Sequence, residues 1–204
     1  MEIYLGIDLG SVTTKLAALD RRGKLIDFVY LPTYGDPRGS LKKGLRLLGN
    51  KLPGNILVKR VATTGSARRL AAEVAGADLI KNEITAQSVA AINFLPQVNT
   101  VIEIGGQDSK IIIIRDELVT DFSMNTICAA GTGSFLDHQA RRLNLTIEEF
   151  SLIATSSTKP IAVPGRCTVF AESDIISRQQ SGDSTEDIVY GLCKALVRNY
   201  LNDV

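Results

Sequence analysis

A nine-residue pattern occurs twice in this chain, as Ile7-Asp-Leu-Gly-Ser-Val-Thr-Thr-Lys15 and as Ile102-Glu-Ile-Gly-Gly-Gln-Asp-Ser-Lys110. Each copy is an apolar strand with one acidic residue, broken by glycine and followed by a polar run that ends in lysine. A second apolar run follows each (16–19 and 111–114), then a charged turn (20–24 and 115–117), so each copy is predicted to be a β-hairpin. Glycine at such a bend lets the backbone approach a ligand closely, and the polar run offers N–H and hydroxyl groups to phosphate oxygens. A single Gly-containing hairpin is commonly just a turn. Two copies sharing acid, glycine, hydroxyl and lysine in register point instead to a nucleotide held between two related halves.

A chain of 204 residues is long enough for two modest domains with cores of their own. Pro96-Gln-Val-Asn-Thr100 precedes the second copy, which puts the expected boundary between 1–96 and 97–204. With 45% hydrophobic and 22% charged residues the composition is ordinarily globular, and a net charge of +1 makes no electrostatic case for nucleic acid or an anionic membrane. No apolar run nears the roughly 20 residues of a spanning helix. The N-terminus enters a strand directly without a basic signal region, and three cysteines do not make a disulfide framework, so a reducing cytoplasm is expected.

In the first half, strands are expected at 25–31 and 55–62, and helices at 41–48, 67–75 and 83–94, the last capped by Asn82. A loop holds Pro32, Gly35, Pro37 and Gly39. The turn 63–66 either faces the ligand cleft or is a plain left-handed turn. In the second half a strand is expected at 117–123, then a Gly-rich turn (125–134) opening a helix through Phe135, Leu136, Ala140 and Leu143. Thr146 and Glu149 form a capping box for a helix at 146–154. A strand at 165–170, a helix at 171–180 and a final helix from Thr185 or Glu186 to Tyr200 complete the order. Strands then helices, twice, imply two α/β domains with mixed sheets.

Cys128 lies one turn ahead of a helix and Cys167 beside another helix start. Helix N-termini favour anions, so a thiolate or a reduced cluster would be stabilised at either place. Equally, a solitary cysteine is usually a small buried hydrophobe, and neither belongs to a CxxC pair. Cys193 falls among Leu192, Leu196 and Val197 of the final helix and reads as core.

Ile7-Asp-Leu-Gly-Ser11, Ile104-Gly-Gly-Gln-Asp-Ser-Lys110, the segment 125–135 and Cys167-Thr-Val-Phe-Ala-Glu-Ser173 together resemble the activator ATPases of 2-hydroxyacyl-CoA dehydratases, grouped with the ATPase subunits of benzoyl-CoA reductase. The resemblance runs in order along nearly the whole chain. It implies two actin-like (ribonuclease H-like) domains with a nucleotide cleft between them. It further implies ATP/ADP and Mg2+ as ligands, and a homodimer sharing one [4Fe-4S] cluster to which each subunit gives Cys128 and Cys167. An iron-sulfur dehydratase or reductase would accept the electron, and a ferredoxin or flavodoxin would supply it.

By position, Asp8 would hold magnesium, while Gly10, Ser11 and Thr13 touch phosphate. Gly105 and Gly106 form the second phosphate loop, and Gln107 and Asp108 orient the attacking water and the metal. Gly131, Thr132 and Gly133 either add N–H donors at a helix start or only shape the turn behind Cys128. Lys15 and Lys110 either reach phosphate or sit as solvated strand-end lysines, and Glu103 either joins the site or simply alternates to the wetter sheet face. Family members continue past the helix that here ends near Val204 into a segment binding the adenosine end, so the base and ribose pocket is expected to be incomplete. A small-molecule kinase of the same superfamily, with Asp108 as base, and a non-catalytic scaffold are the competing expectations.

Overall fold

The structure is a computed structural model that describes residues 1–125, 129–164 and 168–204. The chain divides into two compact units, Met1–Val98 and Asn99–Val204.

The first unit is built on a five-stranded sheet in the order β3-β2-β1-β4-β5. Strands β1 (Glu2–Leu9), β2 (Thr13–Leu19) and β3 (Leu25–Pro32) form an antiparallel meander, and β4 (Leu57–Thr64) and β5 (Leu79–Ile80) add in parallel on the other side of β1. Alternation along β1 buries Ile3, Leu5, Ile7 and Leu9 on one face, as a period of two requires. Leu16, Val29 and Leu31 join them, and helices α1 (Pro37–Lys51) and α2 (Arg68–Ala75) contribute Leu41, Leu48 and Ala71 to the same core. Each fully buried leucine or isoleucine contributes about 1.5–3 kcal/mol.

Helix α1 begins earlier than its hydrophobic spacing suggests. Pro37 and Gly39, expected in a loop, lie in its first turn, because Asp36 caps the helix by accepting from the Gly39 amide at 2.9 Å and proline at the first position lacks only a donor that would go unused. Gly44 lets α1 sit close to the sheet, since a β-carbon there would stand 2.4 Å from Leu16 Cδ1. Helix α3 (Glu83–Phe94) is capped as expected, Asn82 accepting from the Thr85 amide at 2.8 Å.

The second unit repeats the meander. Strands β6 (Thr100–Ile104), β7 (Ser109–Arg115) and β8 (Leu118–Asn125) form an antiparallel sheet. The mixed pairing expected of both halves is thus present in the first sheet alone. In the second, all pairing among the described residues is antiparallel, because no counterpart of β4 lies beside β6. A short 3₁₀ turn (Ala129–Gly131) leads into α4 (Gly133–Arg142), α5 (Ile147–Ala154), α6 (Thr168–Gln180) and α7 (Thr185–Asp203). Phe135, Phe150, Ile175, Ile188 and Leu192 form their core. The capping box of Thr146 and Glu149 is present. Of the strand expected at 165–170, residues 168–170 are helical and belong to α6; residues 165–167 lie outside the described residues. No helix among the described residues is long and apolar enough to cross a membrane.

Candidate functional site

The two glycine bends are the same structure built twice. In the first, the Gly10 amide donates to the Thr13 carbonyl at 3.0 Å, and a β-carbon on Gly10 would stand 2.9 Å from that oxygen. In the second, the Gly105 amide donates to the Asp108 carbonyl at 2.9 Å, with the equivalent β-carbon 2.7 Å away. Only glycine fits either bend without displacing backbone. The register matches too: Asp8 faces Lys15 across β1 and β2, and Glu103 faces Lys110 across β6 and β7. Positions 8, 10, 13 and 15 therefore correspond to 103, 105, 108 and 110.

Each bend carries an ion pair. Lys15 Nζ donates to Asp8 Oδ2 at 2.9 Å and stands 6.0 Å from the Tyr30 ring centre. Lys110 Nζ donates to Asp108 Oδ1 at 2.7 Å and Glu103 Oε2 at 3.1 Å. The surroundings differ. The Lys15 side chain is 41% exposed, whereas that of Lys110 is 3% exposed. Lys110 is therefore no solvated strand-end lysine. Its own carbonyl accepts from the Tyr200 hydroxyl at 2.9 Å, so the last helix is fastened to this strand, and burial, with the Glu103 charge behind it, pushes the Tyr200 phenol up.

In the first unit the turn after β4 adjoins Asp8. Thr64 pairs with Asp8 in the parallel register, and Gly65 takes φ of +93°. A β-carbon on Gly65 would lie 2.5 Å from both Asp8 Oδ1 and the Leu9 carbonyl oxygen. The Ala67 amide then donates to that carbonyl at 2.9 Å. Thr33 Oγ1 donates to the Gly10 carbonyl at 2.9 Å and bonds Thr14 Oγ1 at 2.9 Å, holding the bend from below. The sequence reading left the turn 63–66 open between the two alternatives, and Gly65 within it takes positive φ and adjoins Asp8; Thr33 is a contributor that the sequence reading did not assign.

In the second unit the bend is tied to α4. The Gly133 amide donates to the Gly105 carbonyl at 2.8 Å and the Ser134 amide to the Gly106 carbonyl at 3.2 Å. Thr132 is buried at the helix start, and Ser109 Oγ donates to the Gly131 carbonyl at 2.7 Å. Gly131, Thr132 and Gly133 thus sit directly behind the second bend, and the Gly133 amide binds protein rather than a ligand. Gln107 lies within the bend beside Asp108, and Ser11 and Thr13 lie on the first bend. Cys128 and Cys167 lie outside the described residues. Among those described, no group of three or more histidine, cysteine, aspartate and glutamate side chains is placed to hold a metal. Cys193 is partly buried in α7, and burial raises its thiol above the usual cysteine range.

A family model described as the BadF/BadG/BcrA/BcrD ATPase family matches residues 5–202, a span that includes both bends. The chain belongs to this ATPase family. It is 35% identical over 198 residues to the (R)-2-hydroxyglutaryl-CoA dehydratase activating ATPase of Acidaminococcus fermentans, covering 96% of this chain and 75% of that protein. It is 34% identical to the activator of lactoyl-CoA dehydratase of Anaerotignum propionicum, over 92% of this chain and 72% of that one. The crystal structure of the activator of the 2-hydroxyisocaproyl-CoA dehydratase from Clostridium difficile, with bound ADPNP, superposes at a TM-score of 0.88 with 28% identity over 98% of this chain and 74% of that chain. The actin-like fold class expected from the sequence is thereby established for this ATPase family member.

Proposed function

We propose that this chain is the nucleotide-hydrolysing part of an activator that delivers low-potential electrons to a CoA-ester dehydratase or reductase. The observation that carries the reading is the duplicated bend, acid-glycine-lysine in identical register, in a chain matched by the ATPase family from residue 5 to residue 202. Relatives that are 34% and 35% identical are named as dehydratase activators, which favours this reading over a small-molecule kinase.

Asp8 and Asp108 are partly exposed carboxylates that already attract an ammonium group, which Asp108 shares with Glu103. Hard oxygen donors of this kind, few in number, suit Mg2+, which keeps most of its water. In the proposed site they hold the metal that neutralises charge on the phosphates. Gly10, Ser11, Thr13 and Lys15 on one bend, and Gly105 and Gly106 on the other, hold the phosphates themselves. Gln107 and Asp108 orient the attacking water, since phosphoryl transfer requires positioning more than covalent help. Gly131, Thr132 and Gly133 support the second bend from behind.

Cys128 and Cys167 offer two thiolates per chain, and a second copy brings the number to the four that a [4Fe-4S] cluster takes. Such a cluster supplies one-electron storage, taken from a donor of the ferredoxin or flavodoxin kind and passed to an iron-sulfur acceptor. Anaerobic purification with iron and acid-labile sulfide analysis, alongside ATP hydrolysis, tests the reading. About four irons for every two chains and Mg2+-dependent hydrolysis are expected; a colourless, iron-free protein that phosphorylates a small molecule would refute it.

A further inference from the structure

Transfer of a phosphoryl group to water needs positive charge beside the phosphates, and the lysines of the two bends are already engaged. The Lys15 ammonium is met by Asp8, and that of Lys110 by Glu103 and Asp108. Arg68 differs. Its Nη1 donates to the Gly65 carbonyl at 3.1 Å, and its own amide donates to the same oxygen at 3.2 Å. A neutral carbonyl leaves the charge of the guanidinium uncompensated.

The position of this cation is specific. Asp8 has Lys15 of β2 opposite it on one side and Thr64 of β4 on the other, so the phosphate bend and the turn that carries Arg68 flank the same carboxylate. Gly65, the residue that Arg68 holds, packs directly against Asp8 Oδ1. Arg68 also opens α2, whose first turn contains no acidic residue. A cation there opposes the helix dipole, so its placement is not one that helix stability favours.

We propose that Arg68 is a catalytic residue of the hydrolysis, leaving the Gly65 carbonyl to bind the terminal phosphate of the nucleotide. The inference rests on the nucleotide-hydrolysing reading above. The exchange is favourable because a guanidinium grips a phosphate through two charge-assisted hydrogen bonds, in place of one bond to a neutral oxygen. In the step itself the oxygen of water bonds to the terminal phosphorus as the bond from that phosphorus to the bridging oxygen breaks. ADP and inorganic phosphate form, and one proton passes to solvent. Charge spreads over the oxygens of the transferred group as this happens, and an arginine placed on them accelerates such reactions by about 10³–10⁵.

The test is calorimetric titration with ADP and with ADPNP, together with steady-state hydrolysis of ATP in Mg2+, on the chain and its variants. Arg68→Ala is expected to lower kcat at least about 100-fold and to weaken ADPNP at least about tenfold, while ADP, which lacks the terminal phosphate, changes by less than about threefold. Arg68→Gln keeps an N–H donor for the Gly65 carbonyl and removes the charge, and is expected to lose as much rate as Arg68→Ala. Millimolar guanidinium is expected to restore part of the Arg68→Ala rate, a recovery that a role in folding would not allow. Arg69→Ala, which removes the neighbouring exposed arginine, is expected to leave every value unchanged. Wild-type kcat in Arg68→Gln, equal losses of ADP and ADPNP affinity in Arg68→Ala, or a rate that guanidinium does not raise would overturn the role of Arg68 and leave the hydrolytic reading standing. A wild-type chain that binds neither nucleotide would refute that reading and this inference with it.

Discussion

Lys110 Nζ donates to the Asp108 carboxylate at 2.7 Å from an almost wholly buried position, whereas its counterpart Lys15 holds Asp8 at 2.9 Å in partial contact with water. Equivalent lysines therefore sit in ion pairs of different energy: Lys15 holds Asp8 alone, and Lys110 holds both Glu103, the counterpart of Asp8, and Asp108. Lys110→Met leaves Glu103 and Asp108 facing each other without a cation and is expected to lower stability by about 1–3 kcal/mol. Lys15→Met is expected to cost less than about 1 kcal/mol, as exposed pairs do. Urea denaturation of the two variants checks this; equal losses would contradict the asymmetry.

Asp108→Asn retains the shape of the side chain and removes its charge. ADP affinity is expected to change by less than about threefold while hydrolysis falls at least about 100-fold. Asp8→Asn is expected to raise the Mg2+ concentration needed for half-maximal rate as well as lowering the rate. Calorimetry with ADP and a steady-state assay over a Mg2+ series separate the two effects, and wild-type turnover in Asp108→Asn would remove that residue from the proposed machinery.

Gly65 and Gly76 both take positive φ, at +93° and +63°, but only the first is crowded. Gly76→Ala meets nothing within 4 Å and is expected to cost about 1 kcal/mol of conformational strain. Gly65→Ala drives a methyl into Asp8 and the Leu9 carbonyl, and is expected to cost about 2–4 kcal/mol. Thermal unfolding of both variants measures the difference.

The three cysteines are expected to separate cleanly. Burial raises the Cys193 thiol, so it should alkylate more slowly at neutral pH than an exposed thiol, and Cys193→Ser should leave iron content unchanged. If the proposed ligand assignment holds, Cys128→Ser or Cys167→Ser should each abolish iron binding and shift the protein toward monomer, because metal binding would then be coupled to assembly. Iron analysis with sedimentation reads both; full iron in either variant would refute the ligand assignment.

Asp187 provides a pH signature. Ser157 Oγ donates to its carboxylate at 2.7 Å and the Lys159 amide at 2.9 Å, which holds it below the usual aspartate range. A carboxyl depressed in the folded state stabilises above its unfolded value of about 3.9 and loses that contribution as pH falls through the folded value. The gap in urea midpoint between wild type and Asp187→Asn should therefore be large at pH 7 and narrow toward pH 3. A gap that does not narrow would show that the charge is not what stabilises the α7 start.

The hairpins were legible because glycine, acid and lysine recur at fixed spacing and a two-residue period exposes the strands. Helix caps at Asn82 and Thr146 were legible for the same local reason. What escaped depends on contacts between distant segments. Strand β5 has two residues and no periodicity of its own; it exists because β4 offers an edge. Residues 168–170, rich in β-branched and aromatic side chains, read as strand yet belong to a helix whose Ala171 and Ile175 enter the core. The partners of Lys110 could not be read either, since nothing local distinguishes it from Lys15; the Tyr200 hydroxyl reaches its strand from ninety residues away.

The two bonds from Gly133 and Ser134 to Gly105 and Gly106 make a mechanical coupling of the second bend to α4. Two parallel bonds resist rotation where one would act as a swivel. A displacement of the bend by a few tenths of an ångström is consequently carried into the axis of a ten-residue helix instead of dissipating in a loop. The bend thereby becomes the short arm of a lever whose long arm is α4.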